Sequence, residues 1–213
     1  MKKIIFLFLI SINTSAELVL EITESSDNPY RIAIHSFDGQ NSISQKISQI
    51  IKADLLRTGE FSVLGSDELL SEESYQDQIN YRNYRLLGVD YILKGKVNSE
   101  DKMNITVSYD IFDSIKEKKI RSSKIFGIPN KTRQLAHYVS DGIYEEITGL
   151  QGVASTKMLY VSEDNDGTSK VYRLMLADAD GMNEQTLLKS NSAIISPSWS
   201  PDSKDISYVS FET

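Results

Sequence analysis

The sequence predicts an α+β domain, a mixed sheet packed by two long helices, followed by an incomplete β-propeller of about one blade. Three observations carry that expectation. The stretches 42–58 and 131–148 repeat apolar residues at helical spacing. Three runs between them alternate apolar and polar residues as strands do. Finally, Ile206, Ser207, Tyr208, Val209 and Ser210 echo residues 158–162 at an offset of 48. A repeat of roughly 40–50 residues, made of short strands and Asp-Gly turns, is the signature of a propeller blade.

Residues 1–16 read as a cleavable export signal. Lys2 and Lys3 form a basic start, an apolar stretch follows, and Thr14 and Ala16 place small residues at −3 and −1 of a cleavage site before Glu17. The apolar run is far shorter than the ~20 residues that span a bilayer, and no later segment is more apolar. A protein exported to the periplasm without a transmembrane segment is expected. It has no cysteine, so its stability must come from cores rather than disulfides. Loss of the signal removes two lysines and moves the net charge from −7 to −9. That charge argues against nucleic acid and for basic protein partners.

Residues 17–28 form a short extended segment on a polar leash. A strand follows over 30–37, closed by Asp38 and Gly39. The helix over 42–58 carries Ile43, Ile47, Ile50, Ile51 and Leu55 on one face, with Gly59 behind it. Residues 61–64 make a short strand, and 67–72 and 80–87 two shorter helical pieces. The runs 90–99, 103–112 and 118–126 form an antiparallel meander. The second long helix buries Leu135, Val139, Ile143 and Ile147 and ends before Gly149. These elements place one α+β domain at 29–150. From 156 to 213 the texture is that of a first blade and the start of the next: strands at 158–162, 170–177, 185–188 and 206–210, joined by Asp-rich turns. A blade buries its faces against neighbouring blades, so a fragment of a longer protein is expected.

Little in the chain points to catalysis. His35 and His137 have no ligand-spaced partner nearby, and two histidines without cysteine argue for structural roles and for no metal or other cofactor. Neither a nucleophile elbow nor a phosphate-cradling glycine loop is present. Asp164, Asn165, Asp166 and Gly167 open like a calcium loop, but position 12 is Met175 and the flanks are strands, so a hairpin turn is the better reading. The same holds for Asp178, Ala179, Asp180 and Gly181. In the string 196–203, Pro197 and Pro201 exclude regular ladder positions, and Trp199 is expected to bury against the next blade.

Those residues carry a resemblance. Ser198, Trp199, Ser200, Pro201 and Asp202, followed by Ile206, Ser207, Tyr208 and Val209, resemble the WSPDG-type repeat of TolB propellers, with Ser203 where that pattern prefers glycine. The segments 52–61, 88–97 and 140–149 are similar to the TolB amino-terminal domain. The resemblance implies a non-enzymatic periplasmic protein that links inner-membrane TolA to the outer-membrane lipoprotein Pal. It supports outer-membrane invagination at division and envelope integrity. It also implies a TolA-binding strand at the mature N-terminus, here Glu17, Leu18, Val19, Leu20, Glu21 and Ile22. An alternating extended segment on a leash suits strand addition to a partner's sheet. It equally suits a first strand of the chain's own domain. Pal contacts lie on the propeller, and none is carried over. Two other readings remain: the N-terminal part of a secreted propeller-containing hydrolase, and a ligand-binding module using the cleft between domain and blade.

Overall fold

The computed structural model describes residues 28–39, 41–99, 103–165, 167 and 169–212. The expected signal and the 17–22 segment lie outside the described residues. Eleven strands and three α-helices follow in order. They are β1 (Tyr30–Ile34), β2 (Asp38–Gly39), α1 (Asn41–Arg57), β3 (Phe61–Leu64), α2 (Tyr81–Leu86), β4 (Tyr91–Ser99), β5 (Ile105–Asp113) and β6 (Lys118–Gly127). Then come α3 (Thr132–Thr148), β7 (Lys157–Asn165), β8 (Lys170–Asp178), β9 (Gln185–Ser190), β10 (Ile194–Trp199) and β11 (Ile206–Ser210).

The first six strands form one mixed sheet in the order β3–β1–β4–β5–β6. β1 pairs in parallel with both β3 and β4, because α1 supplies the crossover that parallel neighbours require. β4, β5 and β6 are the antiparallel meander read from the sequence. β1 is shorter than expected, ending at Ile34 opposite Leu93, and the pairing along β4 resumes three positions later, where β2 sets Asp38 against Lys96. The interruption seats the Phe37 ring over Gly95. A Cβ at Gly95 would stand 2.3 Å from that ring, so the glycine is a packing requirement.

Both long helices lie on one face of the sheet. Ile47, Ile51 and Leu55 of α1 and Leu135, Val139 and Ile143 of α3 meet Ile32, Ile34, Val107, Tyr109 and Ile111 in a single buried cluster. Strand alternation sends Ala33, Ile92 and Phe112 to the opposite face, where α2 covers them with Tyr84. That second face has a charged strap. Lys94, only 1% exposed in the middle of β4, donates to the Asp77 carbonyl at 2.8 Å and stands 3.6 Å from Glu73. Of the expected helical piece at 67–72 only Asp67 and Glu68 are helical, within the single 3-10 turn Ser66–Glu68.

Behind the strap His35 sits in a closed ring of hydrogen bonds. The Glu73 amide donates to Nδ1 at 3.2 Å, and Nε2 lies 2.6 Å from the Tyr84 hydroxyl, which in turn bonds the Glu73 side chain. Since Nδ1 accepts, the proton of the neutral ring is on Nε2. Burial pushes the His35 imidazole below its ordinary pKa, and the opposing pull of Glu72 and Glu73 does not restore it.

The remaining strands form two small antiparallel sheets, β7–β8–β9 and β10–β11. The strand Ile194–Trp199 is not among those read from the sequence, and the string 196–203 contributes its first half to it while both prolines stay out of regular ladder positions. A bulge between Ile195 and Ser198 lets Pro197 lie in the strand without owing a ladder hydrogen bond, and Ser196 takes a positive φ of 53° within it. Trp199 is half-buried at the strand's end. The turn that follows is closed by Ser200, whose hydroxyl reaches Asp202 at 2.7 Å and receives the amides of Lys204 and Asp205. Ser203, the departure from the glycine of the repeat pattern, sits at φ 57°. A glycine would hold that conformation without the steric cost a Cβ brings.

Ile143 is 0% exposed between the helices and the sheet. Ile143→Ala is expected to cost about 2–5 kcal/mol, read as a lowered denaturant midpoint. His35 sets a pH dependence. Its folded pKa lies below its unfolded one, so its contribution is complete above the unfolded value of about 6.5 and declines as pH falls below it. Stability measured by urea unfolding should therefore drop between about pH 7 and 5, and His35→Gln should flatten that part of the profile.

Candidate functional site

The residues singled out from the sequence and the residues the fold brings together are different sets. Glu17, Leu18, Val19, Leu20, Glu21 and Ile22 lie outside the described residues. Ser198, Trp199, Ser200, Pro201 and Asp202 build the β10–β11 connection. The densest polar cluster is elsewhere, where the β8–β9 turn meets the two long helices.

Its centre is Asp54, on the inner side of α1 and 4% exposed. Asp54 occupies the helical register of the apolar stripe, a turn after Ile50 and Ile51, so the helix carries a carboxylate into the core. Three donors meet it there. His137 Nδ1 of α3 lies 2.7 Å from Oδ2, the Ser140 hydroxyl donates to the same oxygen at 2.8 Å, and Arg57 Nη1 donates to Oδ1 at 3.0 Å. Burial alone would raise the Asp54 pKa. The hydrogen bonds from His137, Ser140 and Arg57 outweigh it and hold the carboxyl below its ordinary value. An ionised Asp54 only accepts, which makes His137 Nδ1 the donor, while His137 Nε2 is buried without a hydrogen-bond partner.

The serine, histidine and aspartate of this cluster are the residue types of a hydrolytic triad in the wrong order. Ser140 and His137 both converge on Asp54. The serine hydroxyl is spent on the carboxylate, and no base stands against its oxygen. This geometry holds two helices together and does not activate a nucleophile.

The turn predicted at 178–181 forms, with the Gly181 amide donating to the Asp178 carbonyl at 2.9 Å. Its acids are not solvated, however. The Asp178 and Asp180 side chains are 7% and 5% exposed. Arg133, in the first turn of α3, pairs with both: Nε lies 3.4 Å from Asp178 Oδ2, and Nη2 contacts Asp180 Oδ2. Lys157 of β7 and Asn183 hold Asp178 from the blade side. Asp180 Oδ2 also stands 4.0 Å from Arg57 Nη2 and 4.0 Å from His137 Nε2. One turn further along α3, Asp141 accepts the amides of Ala154 and Ser155 at 2.7 and 3.0 Å and pins the connection into β7. Gly152 lies so close to Asp141 that a Cβ would meet its Cα at 2.5 Å.

His137 has no ligand-spaced partner along the sequence; its neighbours are brought to it by the fold. Asp54, His137 and Asp180 offer donor atoms within 4.8 Å of one another, although they come from α1, α3 and a blade turn. The legible trace was Asp54 itself, a charge in an apolar stripe. Two clefts flank the cluster. One, of about 520 Å³, is lined by Arg133, His137, Lys157, Asp178 and Glu184 among others. The other, about 370 Å³, lies between Leu55, Tyr144 and Val153. Among the described residues no helix is long and apolar enough to cross a membrane.

Comparison with known proteins agrees with this architecture. The model of the TolB amino-terminal domain matches residues 18–120, and that of the TolB beta propeller domain matches residues 144–213. The Tol-Pal system protein TolB of Alcanivorax borkumensis is 38% identical over 201 residues, covering 94% of this chain and 46% of that protein. That of Legionella pneumophila subsp. pneumophila is 39% identical over 212 residues, covering 99% and 49%. The crystal structure of TolB from Acinetobacter baumannii superposes with a TM-score of 0.81 at 32% identity, over 91% of this chain and 47% of that one. The chain spans about half the length of the curated relatives it matches. With both models matched in order and the fold shared, the chain belongs to the TolB family, containing its amino-terminal domain and the start of its β-propeller.

Proposed function

We propose that this protein is an exported, non-enzymatic interaction protein of the periplasm that works in the Tol–Pal system. It would link TolA at the inner membrane to Pal at the outer membrane, supporting outer-membrane invagination during division and envelope integrity. One observation carries the reading: across 94–100% of this chain, relatives at 38% identity bear the name Tol-Pal system protein TolB. The chain divides accordingly into a signal at 1–16 cleaved after Ala16, a partner strand within 17–28, an α+β unit at 29–150 and blade strands from 156 on. Pal engages through the propeller.

TolA binding falls to Glu17–Ile22 by position. In an extended strand Leu18, Leu20 and Ile22 share one side and Glu17, Val19 and Glu21 the other. Main-chain hydrogen bonds supply the affinity and the three aliphatic side chains the specificity. Leu20→Pro removes a ladder donor as well as the side chain, so it should weaken TolA binding more than Leu20→Ala, measured by titration with purified TolA. Deleting 17–22 should abolish binding and leave the melting temperature unchanged. A large fall in melting temperature would make the segment a strand of its own domain and remove this reading.

A further inference from the structure

We propose that His137 and Asp180 form a binding site for a divalent transition-metal ion, zinc or one of similar preference, bridging α3 and the β8–β9 turn. The inference starts from the tautomer. Asp54 accepts from His137 Nδ1, so the form of the ring that binds a metal ion is the neutral one in which Nε2 presents a lone pair. That atom is buried and has no hydrogen-bond partner, on a side chain 3% exposed. What it faces, 4.0 Å away, is Asp180 Oδ2, a second acceptor. Two lone pairs directed at each other with no hydrogen between them are a gap that a cation fills.

The Asp54–His137 pair has the form of a prepared metal ligand. Histidines that bind metal ions donate their other ring N–H to a carboxylate, which fixes the tautomer, orients the ring and raises its basicity. Asp54 plays that supporting part and is not itself a ligand. Zinc–nitrogen and zinc–oxygen bonds of about 2.0 and 2.1 Å at a tetrahedral angle place the two ligand atoms about 3.3 Å apart, so the 4.0 Å gap must close by about 0.7 Å as the ion binds. The 520 Å³ cleft that opens on His137 admits the ion and the waters that complete its coordination. An imidazole paired with a carboxylate favours zinc and its neighbours over calcium or magnesium, which prefer all-oxygen shells.

One group opposes the ion. Arg133 Nη2 contacts Asp180 Oδ2 and must yield it, keeping Asp178 through Nε. The site is thus an exchange between a guanidinium and a metal ion on one carboxylate, and removal of the competitor should strengthen it. The background is low, because the chain has no cysteine and its other histidine, His35, is sealed behind Tyr84.

Zinc chloride is titrated into the EDTA-treated, dialysed chain at neutral pH by calorimetry, with cobalt(II) absorption reporting nitrogen and oxygen coordination. One saturable site is expected. His137→Gln and Asp180→Asn should each weaken it by about tenfold or more, and Arg133→Gln should tighten it. Zinc should raise the melting temperature of the parent chain and leave that of His137→Gln unchanged. Absence of saturable binding, or binding that both His137→Gln and Asp180→Asn leave intact, would overturn the proposal. Should His137→Gln not fold by circular dichroism, Asp180→Asn, on a turn outside both helices, decides the matter.

Discussion

The structure depends on a carboxylate in the wrong place. Asp54 sits where the α1 stripe calls for an apolar residue, and its charge is tolerable only because three donors converge on it. Removing one partner from a buried charge costs about 3–5 kcal/mol, far more than the pair contributes over an apolar replacement. The constraint is therefore geometric. α1 and α3 must approach with His137 and Ser140 opposite Asp54, and any slide of one helix along the other leaves a buried charge without its bonds. Apolar contacts press the helices together, and Asp54 selects one register among those the contacts allow.

That register decides what the rest of α3 can do. With His137 and Ser140 turned towards α1, Arg133 and Asp141 face the blade. Arg133 takes the acids of the β8–β9 turn, and Asp141 fixes the backbone leading into β7. The blade is thus seated by side chains whose directions follow from the helix pairing. A polar seating of this kind tolerates little variation, because each buried carboxylate needs its donor within bonding distance. It also keeps the contact separable, since charged groups can be rehydrated where a continuous apolar core would resist opening.

In a family whose relatives are Tol-Pal system proteins, such an arrangement suits a connector. The α+β unit carries its own core on both faces of its sheet, closed by the helices on one side and by α2 and the Lys94 strap on the other. The blade is held by a few residues on a single turn. The partner contacts proposed above, at the N-terminus and on a propeller, would bear on two units joined by one small polar junction.

Much of this fold was legible in the sequence, because most of it rests on periodicity. Ile47, Ile51, Leu55, Leu135, Val139 and Ile143 announced both helices and their buried faces, and the alternation of 103–112 and 118–126 announced the meander. The 48-residue echo gave the repeat without any structure. Local rules failed where neighbours in space overruled them. The strand at 194–199 was not read from the sequence, because the bulge at Pro197 interrupts its ladder, and the strand at 30–37 was cut short where Phe37 packs over Gly95. Of the polar junction only Asp54, a charge in an apolar stripe, left a trace: Asp54, His137 and Asp180 are separated by 83 and 43 residues in the chain, and no spacing rule connects them. Sequence by itself determines which residues seek burial and at what period, since those preferences act between near neighbours. Which buried acid meets which buried base is decided only when helices and turns from distant parts of the chain are packed, because electrostatic pairing acts over a few ångströms of space and is indifferent to distance along the chain.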